Sequence, residues 1–184
     1  MPTTPDLATP EHALARLLDS KLTRKGVDLA TLTLVSPVLL VFLRHAGCIF
    51  CREALSDLAA CREAIARMGT RVVVVHLGDQ QALEEALDHY GLRDVDRIHD
   101  EDQTLYRAFG LGQGSWWQLA GPKVWWRSAD AVLAGHPLGS PAGDVRQMPG
   151  IFLLDKCEVV RSFRHTSAGD RPLYEAFVRE GLGA

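Results

Sequence analysis

An apolar stretch of strand length runs directly into a closely spaced cysteine pair, and this junction constrains the fold more than any other feature. Residues 38–43 (Val-Leu-Leu-Val-Phe-Leu) show no alternation of polar and apolar side chains, which is typical of a strand covered on both faces. Cys48 and Cys51 follow, and residues 52–68 place apolar side chains at steps of three and four, which predicts an amphipathic helix. Residues 71–77 are again apolar without alternation. This order predicts two parallel strands joined by a right-handed helical crossover.

The position of the cysteine pair indicates thiol–disulfide chemistry. At the start of a helix, unpaired backbone N–H groups and the positive end of the dipole stabilise a thiolate, so Cys48 is the expected attacking group. Cys51 lies one turn further along and is the expected resolving thiol, close enough to form a disulfide with Cys48. Arg44 and Arg52 are expected to support the thiolate by their charge, and His45 is a candidate for proton transfer. The alternative is a pair of buried structural cysteines that never oxidise.

The rest of the chain predicts one α/β domain over residues 10–184, after a disordered lead at residues 1–9. The expected elements are a helix that starts at Thr9-Pro10-Glu11, a short strand at 32–35, a helix capped by Asp79, a strand at 97–99, a small helix near 102–109, a β-hairpin formed by 150–155 and 158–163, and a last helix capped by Asp170.

A long insert separates the small helix from the hairpin. It covers about residues 110–146, includes a candidate helix at 122–134, and holds all four tryptophans of the chain. Aromatic side chains are enriched at binding surfaces, so the tryptophans are candidates for an apolar substrate groove or a dimer contact. Equally, these side chains could simply cover one edge of a small core. The tryptophans are Trp116, Trp117, Trp125 and Trp126.

Charge and hydropathy limit the class of protein and its partners. The net charge of −3 gives no reason to expect a nucleic acid partner. No apolar run reaches the roughly 20 residues that a membrane-spanning helix needs, and the N-terminus lacks the pattern of a signal peptide. We therefore expect a cytoplasmic protein whose four cysteines are held mostly reduced. Cys61 falls on the apolar stripe of its helix and is expected in the core, whereas Cys157 is expected to be exposed in the hairpin turn.

Zinc binding is a second hypothesis for the cysteine pair. His45, Cys48 and Cys51 are closely spaced, and His76 or His99 is a candidate fourth ligand. Structural zinc sites normally use a second close pair of ligands elsewhere in the chain, and this sequence has none. The sequence therefore favours redox chemistry with neither a metal nor a bound cofactor.

The order of the elements and the residues around the cysteine pair resemble a known family. The strand, Cys-x-x-Cys, helix, strand, helix, hairpin and closing helix follow the thioredoxin-fold order. The run Arg44-His-Ala-Gly-Cys-Ile-Phe-Cys-Arg-Glu53 resembles the peroxiredoxin-like (AhpC/TSA-like) group of the selenoprotein U and prostamide/prostaglandin F synthase type. The similarity covers about 130 residues from Val38 onward, with further matches at Asp100-Glu101, Leu105-Tyr106, Gly150-Ile-Phe-Leu and the segment 163–170. It implies a central mixed sheet flanked by helices.

Two positions bear on what the resemblance implies. True peroxiredoxins carry a Pro-x-x-x-Thr-x-x-Cys loop that orients the peroxide, whereas here Val41 and His45 occupy the corresponding positions before Cys48. Pro149 resembles the cis-proline of thioredoxins. A cis bond there would place the backbone of Met148 against the cysteines, where it could pair with an extended substrate chain.

The sequence thus predicts a thiol–disulfide oxidoreductase that acts on a protein disulfide and is re-reduced by an external thioredoxin-type or glutathione system. One alternative is a reductase of peroxides or prostaglandin endoperoxides that uses the same thiolate. Another is a redox-inert domain that binds partners through the tryptophan insert. A homodimer is also an expectation.

Overall fold

The computed structural model describes residues 10–44, 48–114, 146–167 and 170–183. Before the cysteine pair lie α1 (Pro10–Ser20), α2 (Leu29–Val35) and β1 (Val38–Phe42). After it come α3 (Ile49–Arg67), β2 (Arg71–His76), α4 (Gln80–His89), β3 (Asp96–His99) and α5 (Thr104–Ala108). The C-terminal part contributes β4 (Gly150–Asp155), β5 (Glu158–Arg164) and a last helix, here α6 (Tyr174–Leu182).

The five strands form one mixed sheet in the order β3-β2-β1-β4-β5. β1 pairs in parallel with β2, which pairs in parallel with β3. β4 pairs antiparallel with β1, and β5 antiparallel with β4. The expected parallel strands and the C-terminal hairpin are therefore confirmed. Since β1 is central, the residues that follow it leave the sheet at the middle of its edge, next to the end of β2.

The unalternating apolar character of β1 reflects two hydrophobic cores, one on each face of the sheet. Leu39 and Val41 pack into the core that α3, α4 and α6 cover. Leu40 and Phe42 pack into the core that α1, α2 and α5 cover. A strand that fills both cores has no polar position available, which is why its sequence reads as a continuous apolar run. The predicted fold class, a mixed sheet flanked by helices, is confirmed.

The strand expected at residues 32–35 is wrong, because these residues form the end of α2. Asp28 caps this helix, and its side chain accepts hydrogen bonds from the backbone N–H of Thr31 at 2.6 Å and from the Thr31 hydroxyl at 2.8 Å. Leu32 and Thr33 are buried, whereas Val35 is exposed. Local capping and one-sided burial thus outweigh the β-branched composition of the segment.

The other two cysteines lie away from the pair. Cys61 is half-buried and packs against the core beneath α3, as expected. Cys157 belongs to the hairpin turn, where Lys156 and Cys157 both have positive φ. It is half-buried rather than exposed, because its sulfur lies 3.4 Å from the hydroxyl oxygen of Thr33.

The predicted disordered lead, the candidate helix at 122–134 and the four tryptophans lie outside the described residues. Within the described ranges, no helix combines the length and the apolar character that crossing a membrane requires.

Candidate active site at the Cys48–Cys51 pair

Cys48 is the residue that caps the N-terminus of α3. Its backbone is extended, with φ −77° and ψ 126°, and Ile49 begins the helix. The Cys48 carbonyl accepts the first helical hydrogen bond, from the N–H of Arg52 at 3.1 Å. The backbone N–H groups of Phe50 and Cys51, at the start of the helix, favour the thiolate form of its sulfur. These are two of the donors that every helix leaves unpaired at its start.

Cys51 lies in the first turn of α3, beneath Cys48. Its sulfur accepts a hydrogen bond from the backbone N–H of Arg44 at 3.3 Å, which ties the first turn to the end of β1. The Cys51 side chain also lowers the pKa of Cys48. Both thiols are reduced, and 8% of the Cys48 surface is exposed against 3% of the Cys51 surface. Cys48 is therefore the outer and Cys51 the inner member of the pair.

The environment lowers the pKa of Cys48 to about 6. The hydrogen bond with the Cys51 side chain makes the largest contribution, and burial opposes it by penalising the charged form. The positive charge of Arg44 and the two backbone donors add to the lowering. A thiol with this pKa is mostly thiolate at neutral pH, which is the form that reacts.

A small cavity of about 20 Å³ lies on the inner side of the pair. Segments distant in sequence meet there: the end of β1, the first turn of α3, the entry to β4, and the segment that leads into α6. A space of this size has room for about one water molecule. Its polar or ionisable lining residues, among those described, are Arg44, Cys51, His165, Asp170 and Tyr174.

Sequence reasoning did not identify His165 and Tyr174 as site residues. The Nδ1 atom of His165 is buried and has no hydrogen-bond partner among the described residues. Burial lowers the pKa of His165 to about 4, although the charge of Asp170 opposes this shift. His165 was noted only as part of the family resemblance, and no local pattern in the sequence assigns it a role.

Asp170 was expected to cap the last helix. It closes a turn instead. The helix α6 begins at Tyr174, with Leu173 as its capping residue. One carboxylate oxygen of Asp170 accepts hydrogen bonds from the backbone N–H groups of Thr166 at 2.6 Å and Ser167 at 2.9 Å. Burial opposes ionisation, but these bonds and those from the two hydroxyl groups hold the pKa of Asp170 well below its usual range. The turn is thereby fixed beside His165.

An ion-pair cluster anchors the same segment to α3. The Arg171 guanidinium lies 3.2 Å from the carboxylate of Glu53 and is hydrogen-bonded to both oxygens of Asp57. Glu53 is buried. The pairing explains its burial, since a buried carboxylate needs a partner.

The expected cis bond before Pro149 is wrong, because the peptide bond is trans. Gln147 forms an isolated antiparallel bridge with Gln113, and β4 begins at Gly150, directly after the proline. The N–H of Met148 donates to the carbonyl of Gly112 at 3.0 Å, and the carbonyl of Pro149 accepts from the N–H of His165 at 3.3 Å. Met148 is buried, and its N–H is already bonded within the protein. Pro149 itself does line the cavity beside Cys51.

The remaining predicted residues are not all brought together. Arg52 is half-buried in the first turn of α3, and its charge acts on Tyr90. His76 and His99 stack on each other with ring centroids 4.8 Å apart. Among the described residues, which exclude His45, no group of three or more metal-binding side chains is positioned to hold an ion. The tryptophans proposed for the groove lie outside the described ranges.

Solved structures of redox proteins share this fold. DsbF of Mycobacterium tuberculosis (MTB) superimposes with a TM-score of 0.54 at 17% identity, covering 92% of this chain and 96% of that chain. The peroxidoxin BcpB of Mycobacterium tuberculosis gives 0.58 at 15% identity, covering 89% and 88%. The bacterioferritin comigratory protein of Xanthomonas campestris gives 0.55 at 14% identity, covering 89% and 85%. These likenesses establish a thioredoxin-like fold.

The sequence itself matches one family model. The model describes the AhpC/TSA antioxidant enzymes and matches residues 55–167, a span that starts just after the cysteine pair. No curated protein matches the chain. Because the match spans more than half of the 184 residues, the chain belongs to the AhpC/TSA antioxidant enzyme family and is an oxidoreductase with a thioredoxin-like fold.

Proposed function

We propose that the protein is a thiol–disulfide oxidoreductase in which Cys48 attacks and Cys51 resolves. The observation that carries the proposal is the position of Cys48 as the residue that caps α3, with Cys51 in the first turn of the same helix. It stabilises the thiolate of Cys48 and holds a second thiol in place to react with the same sulfur. Structural cysteines need neither property.

In the first step the Cys48 thiolate attacks one sulfur of a substrate disulfide. A bond forms between Cys48 and that sulfur, the substrate S–S bond breaks, and the second substrate sulfur leaves as a thiolate with the electron pair. A pKa of about 6 gives a large thiolate fraction at neutral pH. Thiolate fraction and intrinsic nucleophilicity change in opposite directions with pKa, so a value slightly below ambient pH is well suited to this step.

In the second step Cys51 loses its proton and attacks the Cys48 sulfur. The Cys48–Cys51 disulfide forms, the mixed disulfide breaks, and the substrate leaves with both of its sulfurs reduced. Two electrons from an external thioredoxin-type or glutathione donor then restore the dithiol. Because Cys48 is the more exposed member, substrate and donor are both expected to react at its sulfur.

Disulfide mapping and thiol titration test this proposal together. Mild oxidation is expected to give one disulfide, between Cys48 and Cys51, with a midpoint between roughly −400 and −100 mV. The rate of Cys48 alkylation by iodoacetamide is expected to rise through a midpoint near pH 6. Cys61→Ala is a matched control that should change neither result, because burial raises the pKa of the Cys61 thiol to about 11. Failure of the disulfide to form in the folded protein would contradict the proposal.

Peroxide reduction is the second candidate function, and family membership favours it. The same thiolate would attack the O–O bond, which converts Cys48 to a sulfenic acid and releases water or an alcohol. Cys51 would then displace water from the sulfenic acid to form the disulfide. The structure supplies a cation, Arg44, next to the thiolate, but the sequence lacks the threonine of the peroxiredoxin loop. Comparing the rates with hydrogen peroxide and with a peptide disulfide distinguishes the two reactions.

Within the family we place the chain with the selenoprotein U and prostaglandin F synthase type. The Arg-x-x-Gly-Cys-x-x-Cys-Arg run from Arg44 to Arg52 supports this placement. A prostaglandin endoperoxide should then be tested as a third substrate, and its rate compared with those of hydrogen peroxide and the peptide disulfide. Membership of an enzyme family speaks against the redox-inert alternative.

A further inference from the structure

The second step of the proposed mechanism requires a base that the cysteine pair does not supply. The inner thiol, Cys51, must lose its proton before it can attack, and it has only 3% of its surface exposed. Burial disfavours the thiolate, so direct deprotonation by solvent is slow at neutral pH. Cys48 cannot accept this proton, because in the mixed disulfide its sulfur carries the substrate.

His165 is placed to accept the proton. It lines the same small cavity as Cys51, and its Nδ1 atom is buried without a hydrogen-bond partner among the described residues. A buried polar atom normally has a partner, so an unsatisfied imidazole nitrogen in a residue that lines the same cavity as Cys51 requires an explanation. The cavity that both residues line has a volume of about 20 Å³, which is room for about one water molecule.

We infer that His165 acts through a water molecule in this cavity as the proton-transfer residue for Cys51 in the resolving step. The inference rests on the proposed thiol–disulfide function. The proton moves from the Cys51 sulfur through the water to Nδ1, while the Cys51 sulfur bonds to the Cys48 sulfur. The substrate sulfur leaves with the electron pair of the broken bond. The proton on the imidazole then passes to solvent or to the departing thiolate.

Burial and the charge of Asp170 act on the pKa of His165 in opposite directions. Burial lowers its pKa to about 4, so the imidazole is neutral at neutral pH. Asp170, held by hydrogen bonds from Thr166 and Ser167, opposes this lowering and would stabilise the protonated form. The other polar groups on the cavity come from different elements: Arg44 follows β1, Cys51 belongs to α3, and Tyr174 starts α6.

The two steps can be timed separately with 4,4′-dithiodipyridine in a protein whose Cys61 and Cys157 are replaced by Ala and Ser. The first equivalent of thiopyridone reports attack by Cys48, and the second reports attack by Cys51. With His165 as base, the rate of the second release should change little between pH 6 and 8. In His165→Asn it should fall at least tenfold at pH 6 and rise nearly tenfold per pH unit, because hydroxide must then remove the proton.

His89→Asn is the matched control, since His89 is exposed at the end of α4. It should keep the wild-type profile for both releases. Loss of packing alone would slow the second release of His165→Asn equally at every pH and leave its slope unchanged, which would overturn the inference. The proposed function would be overturned instead if the protein that retains His165 released only one equivalent and formed no Cys48–Cys51 disulfide.

Discussion

At the scale of single residues, the chemistry depends on how a buried sulfur holds a negative charge. Burial alone would raise the pKa of Cys48, as it does for Cys61. The hydrogen bond from Cys51, the charge of Arg44 and the donors at the start of α3 together outweigh it. Arg44 is the only full positive charge among these contributions, and it is itself buried.

Replacing Arg44 should therefore weaken the thiolate. In Arg44→Ala we expect the pKa of Cys48 to rise from about 6 by roughly one unit or more, because the nearby positive charge is lost. Arg44→Lys keeps the charge and should lie between the two. The measurement is the pH dependence of Cys48 alkylation in the folded protein.

Arg52→Ala separates a specific effect of Arg44 from a general loss of positive charge near the pair. Arg52 lies in the first turn of α3 and acts on Tyr90, so its loss should shift the Cys48 titration much less. Equal shifts in the two alanine variants would contradict the role assigned to Arg44.

The residues of the site differ in how far the sequence could predict them. Cys48 and Cys51 are three positions apart at a strand–helix junction, so local spacing was sufficient to predict their placement. His165 and Tyr174 reach the cavity from more than a hundred residues away, through the antiparallel pairing of β4 with β1 and the return of the chain along α3. The periodic pattern of a single sequence does not predict contacts between residues that lie so far apart along the chain.

At the scale of elements, the carboxyl ends of the parallel strands are fixed by one buried carboxylate. Asp100, directly after β3, is fully buried and accepts hydrogen bonds from the backbone N–H groups of Leu105 at 2.8 Å and Tyr106 at 3.2 Å. Its other oxygen lies 2.7 Å from the Lys21 ammonium. The hydroxyl of Tyr106 in turn donates to the carbonyl of Leu43, which directly follows β1, and to the carbonyl of Val75, near the end of β2.

Removing this carboxylate should cost much more stability than removing its exposed neighbour. In Asp100→Ala two buried backbone donors and the Lys21 ammonium lose a partner, so we expect about 3 kcal/mol less free energy of unfolding. Asp102→Ala removes a carboxylate that also contacts Lys21 but is largely exposed, and should cost less than about 1 kcal/mol. Urea unfolding measures both, and equal losses would contradict the assigned role of Asp100.

Element prediction succeeded where periodicity and capping agreed, as in α4, which Asp79 caps as expected. It was wrong for residues 32–35, where four apolar or β-branched side chains resemble a strand. These residues are helical because Asp28 caps the helix at its start and Ser36-Pro37 ends it. It was also wrong for Asp170, since an acidic residue before an apolar helix looks the same whether it caps the helix or closes a turn.

At the scale of the whole molecule, the sheet separates the cysteines into two regions. Cys48 lies beyond Phe42, and the register pairs Phe42 with Gly150 and Val38 with Leu154. Cys157, beyond Leu154, is therefore at the opposite end of β1, about 17 Å away along a five-residue strand. The parallel strands and the hairpin that create this separation were predicted from the sequence, but the register was not.

This separation predicts that Cys157 does not resolve Cys48 within one chain. Cys157→Ser should form the Cys48–Cys51 disulfide at the wild-type rate and yield, since no local motion brings the two ends of β1 together. Mass spectrometry of the oxidised, trypsin-digested protein provides the measurement. A Cys48–Cys157 peptide in oxidised monomer would contradict the strand register.

The lowered pKa of Cys48 also makes the stability of the whole reduced protein depend on pH. The thiol has an ordinary pKa of 9.0 when unfolded and about 6 when folded, so the unfolded state binds more protons between these values. The stabilisation is fully present above about pH 9 and is lost as pH falls through 6. A shift of this size corresponds to at most about 4 kcal/mol.

We therefore expect the reduced protein to gain free energy of unfolding between pH 6 and 8.5, and Cys48→Ser to show a much flatter profile. The other shifted groups act outside this window: burial lowers the pKa of His76 and of His165 to about 4, so their contributions change mainly below pH 6.5. Cys61, raised to about 11, changes above pH 9. Parallel profiles for wild type and Cys48→Ser in urea titrations would show that the folded protein does not stabilise the thiolate of Cys48.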